Sequence, residues 1–141
     1  MKHFIRYTPI VIAITLIFIL TTQTGRDTVA LSRSFNGWLV NACNRIGIIT
    51  DNEWWNTDKG VRLLGHVIEY FALGLAAGIA FRKKWLALIF CMVISIADQI
   101  TKIFVPIRHF DTGDIPFDIV GFVSGIMIVW VIEIAIKAFK E

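Results

Sequence analysis

Eight residues with ionisable side chains lie within or beside long apolar runs. An ionisable side chain within a membrane span is costly unless it is paired or reached by water, and it is therefore a candidate functional residue. The eight residues are His66, Glu69, Tyr70, Asp98, Lys102, Arg108, Asp114 and Asp118. An arginine can donate two parallel hydrogen bonds to a phosphate or carboxylate, and a histidine can exchange protons near neutral pH. The set could therefore bind an anionic group, or it could perform acid–base chemistry with His66 and Asp98 as the candidate catalytic residues.

Several other chemistries lack the residues that they need. The sequence contains no phosphate-binding glycine loop, no HExxH zinc motif and no serine-nucleophile signature. The two cysteines and the carboxylates have no metal-ligand spacing, so we expect neither a metal site nor a cofactor. The net charge of +3 comes from basic residues at the ends of apolar runs rather than in one patch, so we expect no nucleic-acid partner.

The elements that position these residues are predicted to be membrane-spanning helices. Apolar residues make up 56% of the 141 residues, whereas about 45–50% is usual in soluble domains. Four unbroken apolar runs approach the roughly 20 residues that a helix needs to cross a bilayer. The sequence therefore predicts an all-α integral membrane protein, a single domain over residues 1–141 with transmembrane helices at about 4–22, 62–81, 85–105 and 117–137. The first run is longer than is usual in a signal peptide, so we expect an uncleaved span.

The distribution of lysine and arginine predicts the orientation. Seven of the fourteen basic residues flank the same side of this four-span arrangement, and such positive flanks face the cytoplasm. Both termini are therefore expected in the cytoplasm, with the residues between spans one and two outside. Within that outer segment, residues 28–49 repeat apolar side chains at helical spacing, including Leu31, Phe35, Trp38 and Ile46. This pattern predicts an amphipathic helix at the outer surface.

On this topology the eight candidate residues lie at one level, in the outer half of the membrane. Span two begins at that level, span three ends there, and span four begins there. Structural alternatives remain open for individual residues. Asp98 could form an internal ion pair with Lys102, Arg108 or His66 that fixes the helix register. His66 could be a structural histidine that bonds to Glu69 or to a carbonyl group. Asp114 could cap span four, whose start also carries Pro116.

Two blocks of the sequence resemble the VanZ-like family of small bacterial membrane proteins, named for a teicoplanin-resistance protein. In the first block, DKGVRLLGHVIEYFALG, the resemblance rests on Lys59, His66, Tyr70 and Gly74. In the second block, ADQITKIFVPIRHFDTGDIPFDIVGFVSG, it rests on Asp98, Pro106, Arg108, Asp114, Asp118, Gly121 and Gly125. Two positions depart from the family pattern, because Gln99 replaces a usual glutamate and Lys102 replaces a usual glutamine.

The resemblance implies a multi-pass protein of the bacterial cytoplasmic membrane, linked in some family members to lowered susceptibility to glycopeptide antibiotics such as teicoplanin. Together with the residues, it favours an outward-facing polar pocket that engages an anionic lipid or a lipid-linked envelope precursor. In that pocket Arg108 would hold the anion, and the other candidate residues would shape the pocket. Two alternatives remain: a membrane enzyme with His66 as acid or base on a phosphate-bearing or acyl lipid, and a structural subunit of an envelope complex.

Overall fold

The described part of the chain is helical. The computed structural model describes residues 2–22, 58–106 and 110–140, together with residues 30, 33, 34, 37, 38, 41 and 45. Four helices run through the continuous ranges: α1 (Lys2–Thr22), α2 (Asp58–Ala80), α3 (Lys84–Lys102) and α4 (Ile115–Ala138). These ranges contain no β-strand, which confirms the predicted all-helical class.

Three of the helices are long and apolar enough to cross a membrane. The qualifying ranges are Arg62–Ala80 in α2, Lys84–Lys102 in α3 and Ile115–Ala138 in α4. In α1 the described apolar part, Tyr7–Thr22, is shorter than these. The chain therefore has the helices of a multi-pass membrane protein, whereas the fourth span and the orientation stay predictions.

Helix α3 ends earlier than the predicted boundary at residue 105. It ends at Lys102 and is followed by a turn in which the backbone N–H groups of Ile103 and Phe104 donate to Ile100 and Thr101. Pro106 explains the early end, because proline disfavours helical conformation in the residue before it and cannot donate a backbone hydrogen bond.

The predicted amphipathic helix at residues 28–49 falls mostly outside the described residues. The seven described residues of this segment are helical and exposed. Trp38, which belongs to the predicted apolar stripe, is 65% exposed. The other stripe residues that the prediction names, Leu31, Phe35 and Ile46, lie outside the described part, so the amphipathic helix remains a prediction.

Glycines allow α2 and α4 to pack backbone to backbone. A Cβ atom at Gly121 would lie 2.5 Å from the carbonyl oxygen of Val67, and one at Gly125 would lie 2.5 Å from that of Phe71. On the facing helix, Gly74 contacts the backbone of Phe122. Small residues at such spacing let helix backbones approach closely in membranes. This contact brings the N-terminal halves of α2 and α4 close together, so that His66 lies beside Asp118.

Apolar side chains from all four helices form the core below that end. Buried members include Ile17 of α1, Leu73 of α2, Cys91 of α3 and Phe122 of α4. At the opposite end, the Nζ atom of Lys84 lies 2.8 Å from Glu133 of α4 and also donates to a carbonyl oxygen near the end of α2. The bundle is therefore held by an apolar middle with polar contacts at both ends.

Candidate functional site

A connected group of polar side chains is buried where α2 and α4 begin and α1 and α3 end. We call these residues the polar cluster: Thr21, His66, Ser95, Asp98, Gln99, Lys102, Asp114 and Asp118. Each is at least nine-tenths buried. Because a buried charge is costly unless it is paired and hydrogen-bonded, the contacts within the cluster determine whether the bundle tolerates it.

Lys102 is the central cation of the polar cluster. Its Nζ atom lies 3.0 Å from Oδ2 of Asp114 and 3.2 Å from Oδ2 of Asp98. The amide of Gln99, oriented so that its oxygen faces the lysine, accepts from Nζ at 2.9 Å and donates to the carbonyl oxygen of Asp111 at 3.3 Å. One ammonium group thus connects two aspartates that are distant in sequence.

The imidazole of His66 lies between two carboxylates. Its Nδ1 atom is 2.9 Å from Oδ1 of Asp118, and its Nε2 atom is 3.3 Å from Oδ2 of Asp114. Although close, the Nδ1 contact is not aligned as a hydrogen bond. Nε2 also lies 3.3 Å from Nζ of Lys102, so this nitrogen accepts from the lysine when neutral and donates to Asp114 when protonated.

Two hydroxyl groups complete the polar cluster. The Thr21 hydroxyl donates to Oδ1 of Asp98, which connects the end of α1 to α3. The Ser95 hydroxyl donates to Oδ2 of Asp118 at 2.6 Å, which connects α3 to α4. All four helices therefore supply at least one member of the network.

An ion pair between Arg62 and Asp111 connects the polar cluster to the surface, and we call it the rim pair. Nη2 of Arg62 lies 2.9 Å from Oδ2 of Asp111 and 3.2 Å from Oδ1 of the buried Asp114. The side chains of the pair are 38% and 42% exposed, respectively. Oδ1 of Asp111 also accepts a hydrogen bond from the backbone N–H of Gly113 at 2.9 Å. Nε of Arg62 is buried and has no hydrogen-bond partner in the described part of the chain.

Asp114 occupies the N-cap position of α4, but its side chain does not cap the helix. It makes no side-chain capping bond, and its carboxylate instead faces Arg62, His66 and Lys102. The capping alternative for Asp114 is therefore wrong, because three cationic or proton-donating groups compete for the carboxylate. Burial alone would raise the pKa of Asp114, but the hydrogen bonds and charges of His66 and Lys102 hold that pKa below its ordinary value.

The structure brings most of the predicted site residues together. Five are in direct contact with another member of the predicted set: His66, Asp98, Lys102, Asp114 and Asp118. Tyr70 is fully buried beneath them, its ring stacked on the His66 ring with centroids 6.3 Å apart. Glu69 is half-buried and forms no hydrogen bond or ion pair with the described residues. Arg108 lies outside the described residues, and ligand binding by any of the set remains a prediction.

The Tyr70 hydroxyl is a buried polar group without a described partner. It lies near Ser95, but the two hydroxyl groups are not aligned as a hydrogen bond. A buried hydroxyl without a partner is unfavourable.

Sequence reasoning overlooked two members of the polar cluster on α3. Ser95 precedes Asp98 by three residues and Gln99 by four, which places all three on one helix face. That spacing was an available signal, because the polar side chains interrupt an otherwise apolar helix.

It also overlooked three residues from other elements. Arg62 precedes His66 by four residues, and this helical spacing could have placed it in the site. Asp111 is not among the predicted site residues, and nothing in the sequence pairs it with Arg62. Thr21 gave no signal, because the position of α1 against α3 is a tertiary feature.

Chemically, the arrangement is a paired network, and among its described members the side chains of Arg62 and Asp111 are partly exposed. His66 is only 8% exposed and its ring nitrogens contact carboxylates and a lysine. A general base must reach the proton that it abstracts, whereas Nε2 of His66 lies against Asp114 and Lys102 and Nδ1 lies 2.9 Å from Asp118. The rim pair is the part of the network that a molecule at the surface could contact first.

Comparison with known proteins gives one match. A family model described as VanZ/LLP1 matches residues 5–133. No curated protein and no solved structure matches the chain. The matched range includes the whole polar cluster and the rim pair.

Proposed function

The chain belongs to the VanZ/LLP1 family, and from that premise we propose that its polar end faces the outer side of a bacterial cytoplasmic membrane and engages an envelope lipid. The ligand is an anionic lipid or a lipid-linked envelope precursor. Its negatively charged head group contacts Arg62 at the surface. Arg108, which is predicted from the sequence to hold the anion, is the second cation of the proposed site. Membership of the family supports a VanZ-type envelope protein, and the binding of a lipid is our proposal beyond that membership.

The observation that carries this proposal is the position of Arg62. Its guanidinium is partly exposed, and its Nη2 atom contacts both the surface residue Asp111 and the buried residue Asp114. A head group that binds Arg62 therefore lies one side chain away from a carboxylate that also contacts Lys102 and His66. Binding at the surface is thereby coupled to the contacts between α2, α3 and α4.

Arginine suits this role because its planar guanidinium carries five N–H donors. The two described contacts of Arg62 both use Nη2. Donors on the same guanidinium remain for a phosphate oxygen. Arg108 precedes the rim aspartate by three residues in the chain, which supports its predicted role in the same site.

The experiment compares lipid retention by matched variants. Protein is reconstituted with equimolar phosphatidylglycerol and phosphatidylcholine of the same acyl chains, extracted in mild detergent and analysed by native mass spectrometry. Wild type is expected to retain phosphatidylglycerol, and Arg62→Gln to retain about tenfold less, as expected for one lost charge-assisted contact. Arg82→Gln is the control, because Arg82 is exposed at the opposite end of the bundle. Equal loss in both variants, or no retention by wild type, would refute the proposal.

We extend the proposal to glycopeptide susceptibility, because a head-group site on the outer face would lie where these antibiotics act. A susceptible bacterial host that expresses the wild-type chain should need a higher inhibitory concentration of teicoplanin than a host that expresses Arg62→Gln at the same level. An equal inhibitory concentration in the two hosts counts against this extension and leaves the lipid-binding result untouched.

A second function, a structural subunit, is favoured by the internal pairing of the polar cluster. On this alternative the contacts of Lys102 and His66 serve only to hold α2, α3 and α4 together. Replacement of Arg62 would then lower stability without altering lipid retention by the folded protein. An enzyme that uses His66 would instead form a new lipid product during incubation with the purified protein, and the burial of the His66 side chain gives that alternative less support.

A further inference from the structure

The charges at the polar end raise a question about which head group the site accepts. The acidic side chains of the described polar cluster and rim pair are Asp98, Asp111, Asp114 and Asp118, and the basic ones are Arg62, His66 and Lys102. Acids therefore exceed bases in this part of the chain even when His66 is protonated. A head group that brings only negative charge would add to this excess, and repulsion between like charges is strong where water is scarce.

Each member of the rim pair has a second partner that would hold it in place after an exchange. Arg62 would keep its contact with Asp114, 3.2 Å away on the buried side. Asp111 would keep the hydrogen bond from the backbone N–H of Gly113 to Oδ1, which leaves Oδ2 for a new donor. The two charged groups are thus anchored independently, and the contact between them can be replaced without releasing either one.

Resting on the Arg62–phosphate contact of the proposed function, but with a head group of no net charge in place of an anionic one, we propose that the preferred head group is zwitterionic, a phosphate diester that carries a primary ammonium. The phosphate replaces Asp111 at Arg62, and the ammonium replaces Arg62 at Asp111. Every charge of the rim pair stays paired and the net charge of the site is unchanged. A purely anionic head group would leave Asp111 without its cation beside an acid-rich cluster, where the neighbouring carboxylates repel both Asp111 and the added negative charge.

The ammonium must carry N–H donors because Oδ2 of Asp111 accepts hydrogen bonds, and a primary ammonium carries the most of them. A primary ammonium has three N–H donors, whereas the quaternary ammonium of phosphatidylcholine has none. Phosphatidylethanolamine carries the required groups, and phosphatidylglycerol carries the phosphate alone. These three lipids therefore separate the contributions of phosphate, charge and hydrogen bonding.

The experiment is a three-way competition on the full chain. Protein is reconstituted with equimolar phosphatidylethanolamine, phosphatidylglycerol and phosphatidylcholine of identical acyl chains, and the retained lipids are counted by native mass spectrometry. Wild type is expected to retain phosphatidylethanolamine most. Asp111→Asn should shift the ratio of phosphatidylethanolamine to phosphatidylglycerol about tenfold toward phosphatidylglycerol, as expected for one lost charge-assisted contact. Asp111→Glu should preserve the wild-type preference.

The control variant is Thr112→Ala, which changes an exposed neighbour of Asp111 and should leave the ratio unaltered. A wild-type preference for phosphatidylglycerol would overturn the zwitterionic inference while supporting the proposed function. Equal retention of phosphatidylethanolamine and phosphatidylcholine would overturn the ammonium contact. If wild type retained the three lipids no better than Arg62→Gln does, both the inference and the proposed function would be overturned. Thermal unfolding of each variant in the same detergent identifies any that fails to fold, and Asp111→Glu then serves as the second test.

Discussion

Lys102 and Asp114 form a 3.0 Å ion pair that joins the end of α3 to the residue preceding α4. Both side chains are buried, and the same lysine nitrogen lies 3.2 Å from Asp98. The two aspartates come from different parts of the chain, so one cation fixes the relative positions of two helices. Stability should therefore depend strongly on this lysine.

Lys102→Met should destabilise the bundle severely. The change keeps a flexible side chain but leaves Asp98 and Asp114 with one cation fewer, and breaking a buried ion pair costs about 3–5 kcal/mol. Thermal unfolding in detergent, followed by circular dichroism, measures the loss. Lys83→Met is the control because Lys83 is exposed. If the double variant Lys102→Met with Asp114→Asn were no more stable than the sum of the single effects predicts, the two residues would not be coupled.

Gly121→Ala should force α2 and α4 apart. The added Cβ would lie 2.5 Å from the carbonyl oxygen of Val67 and 3.0 Å from the backbone nitrogen of Phe71. Neither backbone atom can yield without movement of the helix, and overpacking of this kind costs about 1–3 kcal/mol. The unfolding midpoint in detergent should fall accordingly.

Gly65→Ala provides the matched control on α2. A Cβ at Gly65 would meet nothing within 4 Å, and alanine is favoured over glycine within a helix by about 0.5–1 kcal/mol. This variant should be as stable as wild type or slightly more stable. If Gly121→Ala and Gly65→Ala lowered the unfolding midpoint equally, the effect of Gly121→Ala could not be attributed to the close packing of α2 on α4.

The contribution of Asp114 to stability should disappear in acid. Its pKa is lower in the folded protein than its ordinary value of 3.8, so the folded state favours the charged carboxylate. That contribution is fully present above the unfolded pKa and is lost as the pH falls through the folded pKa. The difference in unfolding free energy between wild type and Asp114→Asn should accordingly shrink as the pH falls from about 5 to about 3. A difference that stays constant or grows over this interval would contradict the lowered pKa.

Thr21→Val should weaken the attachment of α1 to the bundle. The Thr21 hydroxyl donates to Oδ1 of the buried Asp98, and leaving a buried acceptor without its donor costs about 1–3 kcal/mol. Limited proteolysis and thermal unfolding report on the change. Thr15→Val is the control, because the Thr15 hydroxyl bonds to an exposed carbonyl oxygen of its own helix. Equal behaviour of the two variants would mean that the Thr21–Asp98 contact does not hold α1.

Much of the architecture follows from the sequence alone. Long apolar runs predict helices because a helix satisfies its own backbone hydrogen bonds without water. The fixed rise per residue then sets the depth of each side chain, which is why His66, Asp98 and Asp118 were expected at one level. Gly74, Gly121 and Gly125, which are among the residues of the family resemblance, lie where α2 and α4 pack backbone to backbone.

The partners within the site were decided only by the tertiary structure. Within a helix, spacing identifies Lys102 as a neighbour of Asp98, but it cannot identify Asp114 or His66 as further contacts. The pairing of Arg62 with Asp111 and of Thr21 with Asp98 depends on how the helices rotate and pack against one another. The rotation of each helix depends on its packing contacts with the other helices, and a local sequence pattern does not contain that information. The sequence by itself therefore determined the helices and the depth of their polar groups. The tertiary structure decided which of these groups are in contact. It also decided that, among the described ion pairs at that end, only the one between Arg62 and Asp111 has both side chains partly exposed.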